Sequence, residues 1–256
     1  VYDSAGVEAS EGRRPLPART YYARMTQALI TAMTAPMAEG RLYEVDMRLR
    51  PSGNQGPVAT SLAAFSDYQR KSAWVWEHLA LTRARVVAGP ADLAAEVEAL
   101  RAEVLSAPPS RETVLSELAQ MRARIAAAKP STGVLDPKIG RGRMQDIELV
   151  AQAGALLSGK GARRTAQGLS AAAREGWLSR AEADHLATTY RLCWALQIGA
   201  RLIAEGPVDP DVIGKGGAQF LSRLTDAPDL DACATRIGTE CSTAADMIDA
   251  ALDGTG

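Results

Sequence analysis

The sequence predicts a mainly helical protein with a small α+β part at its N-terminal end. Three observations carry that expectation. The 256 residues are 46% apolar yet include only two Phe, and alanine is abundant throughout; alanine-rich, aromatic-poor cores belong to closely packed helices. Apolar residues recur at helical spacing over most of the chain beyond residue 90. Two early segments, residues 42–49 and 82–88, instead alternate apolar and polar side chains, which is the period of a strand.

Each element follows from local pattern. Residues 4–15 are small and polar, with a basic pair, and read as a loop. Residues 18–38 suit a helix, with Tyr22, Met25, Leu29 and Met33 on one stripe. After the strand at 42–49, PSGNQGP at 51–57 is a dense turn signal. Residues 61–78 carry Leu62, Phe65, Tyr68, Trp74 and Trp76 and read as a helix. Gly89-Pro90 ends the second alternating segment. Helices are then expected at 92–105 and 111–128, parted by Pro108-Pro109, followed by a Gly- and Lys/Arg-rich loop at 129–143. Further helices are expected at 146–157, 162–175, 179–204, 217–224 and 230–252. The simplest division is residues 1–90 and a helical bundle over 91–256.

Composition narrows the functions available. With 29 basic and 30 acidic residues the net charge is −1, so bulk electrostatics favours neither nucleic acid nor an anionic membrane as a partner. No apolar run approaches the length that spans a bilayer. Cys193, Cys233 and Cys241 are an odd number without a CxxC pair, which fits a reducing, cytoplasmic setting and small core residues. The opening VYDSAGVEASEG lacks the features of a signal peptide and reads as cut from a longer chain.

The stretch YEVDMRLRPSGNQG is the most informative. On a strand, Asp46, Arg48 and Arg50 would share one face, and Val45, Met47 and Leu49 the other. A carboxylate beside two guanidiniums suits a Mg²⁺ ion and phosphate oxygens; by spacing alone, a half-buried strand with a charged wet face is the stronger reading. Arg83 and Arg85 repeat the pattern and read as solvated residues. PKIGRGRMQDIE places Lys138, Arg141 and Arg143 among glycines just before a helix, where anions bind well, while Asp146 and Glu148 suit ordinary capping equally well. No GxxxxGK[ST] phosphate loop is present. Gly214–Gly217 reads as a connection, His78 and His185 as lone structural histidines, and the four tryptophans as packing anchors.

The runs YEVDMRLRPSGNQGP and AAFSDYQRKSAWVWEHLALTRARVVAG, with the later KIGRGRMQDIE, closely resemble the glutamine synthetase adenylyltransferase family. The resemblance implies an incomplete nucleotidyltransferase domain of the DNA polymerase β type over 1–90, followed by the helical bundle. That family has two homologous halves, one removing AMP from a tyrosine of glutamine synthetase by phosphorolysis, the other attaching AMP from ATP. PSGN and the Trp74–His78 run look like the attaching half. The resemblance implies Asp46 as a catalytic Mg²⁺ ligand, Arg48 and Arg50 as residues that contact ATP phosphate or anchor the loop, and Ser52 and Lys138 as further ATP-binding residues. It also implies glutamine synthetase as the protein substrate and a nitrogen-signalling regulatory protein as a possible partner. The family's other two metal carboxylates come from a Gly-Ser…Asp-x-Asp segment, which is absent from these 256 residues, so this chain alone is expected to be inactive. Adenylyl removal on the same scaffold, and a non-catalytic helical docking module, are the alternatives.

Overall fold

The computed structural model describes residues 1–128, 133–204 and 206–254. Among them are ten α-helices: α1 (Ala18–Thr34), α2 (Leu62–Lys71), α3 (Val75–Leu81), α4 (Ala91–Ser106), α5 (Arg111–Ala128), α6 (Met144–Leu157), α7 (Thr165–Arg174), α8 (Arg180–Ile203), α9 (Gly214–Leu224) and α10 (Leu230–Asp253). They form two compact units, residues 1–80 with 85–104 and residues 81–84 with 105 onward.

The first unit is loosely cored. α1 stops at Ala35, whose backbone is extended (φ −59°, ψ 133°) because Pro36 disfavours the helical region for the residue before it. No α1 residue is buried. Tyr2 stacks on Tyr22 with ring centroids 4.2 Å apart. The Tyr2 backbone bonds to Thr60 and Leu62, at the start of α2, whose Ser61 hydroxyl caps Ala64 N–H at 3.3 Å. The helix expected over 61–78 is two helices. Between them Trp74 N–H donates to the Glu77 carboxylate at 2.9 Å, so Glu77 starts α3 afresh from its N3 position.

The two expected strands are not formed. Among the described residues the only extended pairings are isolated bridges, Tyr2 with Ser61, Ala9 with Pro17 and Met37 with Gly40. The 42–49 segment closes into a local turn only at Arg48 and Leu49, where Asp46 Oδ1 accepts Arg48 N–H at 2.9 Å, a short-range bond that competes with a ladder. Leu49 is 64% exposed rather than inward-facing. In 82–88, Thr82 C=O accepts Ala162 N–H and Val86 N–H donates to the Glu98 carboxylate. An alternating segment without an adjacent strand edge has no ladder to join, and the α+β part is thus helix and loop.

The second unit buries a continuous core. Val114, Leu118, Ile147, Val150, Leu156 and Leu186 are all fully buried, each worth roughly 1.5–3 kcal/mol against exposure. α6 and α7 approach through glycines. A Cβ on Gly168 would lie 2.1 Å from the Ala151 carbonyl oxygen, and one on Gly154 2.6 Å from Ala172 Cβ. α8 begins with a reciprocal cap, Ser179 Oγ with Glu182 N–H and Glu182 Oε2 with Ser179 N–H. A second cluster joins α8, α9 and α10 through Cys193, Leu196, Leu221, Cys233, Ile237 and Cys241. Gly214–Gly217, expected as a connection, forms the first turn of α9. Of the tryptophans expected as packing anchors, Trp177 is buried while Trp74 and Trp194 are largely exposed. No helix of the described residues is long and apolar enough to cross a membrane.

Candidate functional site

The loop from Asp46 to Gly56, in the first unit, carries four of the five residues the sequence singles out. Asp46 and Arg48 grip each other: Arg48 Nε lies 2.9 Å and Nη2 2.6 Å from Asp46 Oδ2. The Asp46 carboxylate raises the Arg48 pKa above its ordinary value, first by hydrogen bonding and then by charge. The Arg50 guanidinium turns back into its own loop and donates to three carbonyls, those of Met47 (2.7 Å), Gly56 (2.9 Å) and Asn54 (3.2 Å). Arg50 is therefore a brace for the backbone.

That brace holds Ser52 in the left-handed region, at φ 61° and ψ 19°, a conformation that costs a non-glycine residue about 1–3 kcal/mol. Behind the loop, Tyr68 hydroxyl donates to Glu77 at 2.9 Å, and Glu77 is buried. Burial raises the Tyr68 pKa, and the bond to Glu77 and its charge add to it, against an opposing influence of Ser52. Sequence reasoning missed this pair. The available signal was Glu77 standing three residues after Trp74, the spacing of a helix start. His78, read as structural, has its Nε2 3.2 Å from the Gln69 carbonyl.

Lys138 lies in the second unit and is exposed. Its N–H and that of Ile139 share the Asp136 carboxylate, at 2.9 and 3.2 Å. The loop then folds onto its own helix: Met144 N–H donates to the Pro137 carbonyl and Gln145 N–H to the Lys138 carbonyl, both at 3.1 Å. Gly142 N–H donates to Asp146 at 2.8 Å. Capping from within thus fills the start of α6. Residues 129–132, the first part of the expected loop, lie outside the described residues.

Asp146 also belongs to a network with no local sequence signal. Arg122 on α5 meets it through Nε (2.5 Å) and Nη2 (2.9 Å), and reaches Asp249 on α10 through Nη1 (2.8 Å). Arg141 pairs with the other oxygen of Asp249. Burial disfavours the Arg122 charge, but Asp146 and then Asp249 outweigh it and leave its pKa raised. Beside this network is a cavity of about 450 Å³, with Ile139, Leu149 and Leu252 among its apolar lining.

As a magnesium site the residues fall short. Among the described residues no three His, Cys, Asp or Glu side chains gather as metal ligands, and Asp46 supplies one carboxylate that already holds a guanidinium. The donors among the described residues do not fit a two-metal centre by themselves.

The family model for glutamate-ammonia ligase adenylyltransferase matches residues 1–100, and one for GlnD PII-uridylyltransferase matches residues 114–209. A bifunctional glutamine synthetase adenylyltransferase/adenylyl-removing enzyme of Mesorhizobium japonicum is 44% identical over 234 residues, 90% of this chain and 24% of its own. Proteins of the same description from Rhizobium meliloti and Bradyrhizobium diazoefficiens are 41% and 39% identical, over 90% and 96% of this chain. The chain spans about a quarter of the length of the curated relatives it matches, 24–25%. Across nine-tenths of its residues the chain is thus similar to a section of bifunctional glutamine synthetase adenylyltransferase/adenylyl-removing enzymes, with the Asp46–Gly56 loop inside the region that the adenylyltransferase family model matches.

Proposed function

We propose that this chain is a section of a bifunctional glutamine synthetase adenylyltransferase/adenylyl-removing enzyme and serves the AMP-attaching reaction. In that reaction a tyrosine hydroxyl of glutamine synthetase attacks the α-phosphate of ATP and pyrophosphate leaves. The observation that carries the reading is the family match over residues 1–100, which contains the braced loop with Ser52 held in a costly conformation; backbone strain of that kind clusters at ligand sites. Residues 1–90 would be the C-terminal part of a nucleotidyltransferase domain and 91–256 its helical partner domain.

Within that reading, Asp46 is the catalytic carboxylate and Arg48 holds it in place. Arg50 shapes the loop, and Ser52 and Lys138 are assigned as nucleotide-binding residues. Magnesium, when bound, would neutralise charge on the transferring phosphate; Asp46 alone cannot build that site, and the chain by itself is inactive. The three free cysteines suit a reducing cytoplasm, where glutamine synthetase is the protein substrate and a nitrogen-signalling regulator a further partner.

The relatives' description names both reactions, which keeps adenylyl removal as the second reading. The match of residues 114–209 to a PII-uridylyltransferase model favours regulator docking as a role for the helical region. The test joins these residues to the segment that precedes the matched region in the Mesorhizobium japonicum protein. AMP transfer to glutamine synthetase from Mg-ATP should then appear, and Asp46→Asn should lower it by roughly two orders of magnitude. Undiminished transfer by Asp46→Asn would refute the assigned role. Phosphorolysis of AMP-modified glutamine synthetase without any transfer would move the chain to the second reading.

A further inference from the structure

Cys193 on α8 and Cys241 on α10 meet inside the second unit with their sulfurs 3.6 Å apart, at van der Waals contact. Both are buried, at 0% and 4% exposure, and 48 positions separate them in the chain, so tertiary packing alone makes the pair. Cys233 is also buried. It lies eight residues before Cys241 on the same helix, about 12 Å along the axis, beyond the span of a disulfide with Cys241.

We propose that Cys193 and Cys241 are a peroxide-oxidisable dithiol, a covalent modification site whose product is a disulfide tying α8 to α10. A disulfide of about 2.05 Å requires the sulfurs to close by roughly 1.5 Å, which side-chain rotation and a small helix shift supply. Either thiol can donate to the other, and the Arg143 charge favours the thiolate of both. One sulfur, as its thiolate, attacks one oxygen of hydrogen peroxide; an S–O bond forms, the O–O bond breaks and hydroxide leaves, giving the sulfenic acid. The other sulfur then attacks the sulfenic sulfur; the S–S bond forms, the S–O bond breaks and water departs. Two thiols and one peroxide become one disulfide and two waters. A peroxide is close to water in size, which suits a pair this enclosed.

The pair underlies the Lys138 loop. A Cβ on Gly142 would lie 1.9 Å from the Cys241 carbonyl oxygen, so the loop rests directly on the turn of α10 that the disulfide would pin.

The test exposes the folded 256-residue chain to hydrogen peroxide, removes the oxidant with catalase, then denatures, alkylates and maps the peptides. The expected result is loss of two of the three thiols, a chain two hydrogens lighter, a Cys193–Cys241 linked peptide and alkylated Cys233. The urea midpoint should rise and return on reduction. Cys193→Ser should stop at a Cys241 sulfenic acid trapped by dimedone. Should that variant not fold, Cys233→Ala keeps the test open, because it must still form the crosslink. Retention of all three thiols at peroxide levels that oxidise glutathione, or a crosslink through Cys233 or between chains, would overturn the proposal.

Discussion

α1 and α6 are helices of similar length and similar alanine-rich composition, yet they live in opposite circumstances. α1 has seventeen residues, none of them buried; of its expected stripe, Met25 and Leu29 face solvent, with Leu29 60% exposed, while Tyr22 and Met33 are half-buried. α6 has fourteen residues and buries both apolar groups and a carboxylate, packing at the distance its glycines allow. An apolar stripe at helical spacing therefore announces a helix that needs a partner, and supplies no information on where that partner lies. The second unit meets its stripes within residues 105–254, while the first leaves Met25 and Leu29 of its stripe unmet among the described residues.

The largest expected effect tests the second unit's buried charges. Arg122→Met would leave the Asp146 carboxylate, 8% exposed, without its guanidinium, at a cost of about 3–5 kcal/mol. The drop should appear in urea unfolding followed by circular dichroism. Next comes the comparison itself. Leu118→Ala should cost about 2–5 kcal/mol, since Leu118 has no exposure and its removal leaves a cavity; Leu29→Ala should stay within about 0.5 kcal/mol. Equal losses from both would show that α1 is packed in solution and break the contrast.

A smaller effect belongs to the first unit's polar pair. Tyr68→Phe removes the donor that Glu77 accepts at 2.9 Å and should cost roughly 1–2 kcal/mol, with faster amide exchange around Ser52. The smallest effect is a pH dependence. Burial works against the Asp249 charge, but hydrogen bonds from Arg122 and then Arg141 outweigh it and hold its pKa below the ordinary 3.8. Its contribution to stability is complete above 3.8 and lost as pH falls through the lower folded value. The urea midpoints of wild type and Asp249→Asn should differ near neutrality and converge in acid.

How far the sequence could be read depended on how local each cause was. α5 came out at its observed ends because Pro108-Pro109 and the Ser110 hydroxyl, which caps Thr113 N–H at 3.2 Å, lie beside it. The break between α2 and α3 was missed because it carries no glycine or proline and depends on one glutamate. The strand readings failed for the reverse reason: alternation at 42–49 is local, but a strand exists only through a neighbour. At the candidate site, the motif drew attention to Asp46, Arg48, Arg50 and Ser52, while their pairing and bracing are tertiary facts. Arg122 and Asp249, 127 positions apart, leave no trace that a window of residues could register.

Arg50 carries a consequence for how this loop can change. One planar cation here does the work of several backbone partners, holding three carbonyl oxygens around a fold of ten residues. A lysine would keep the positive charge but concentrate it at a single point on a flexible stem, so Arg50→Lys would preserve electrostatics and loosen architecture. The damage from that exchange would register as faster solvent exchange of the amides between Met47 and Gly56, with the charge of the region unchanged.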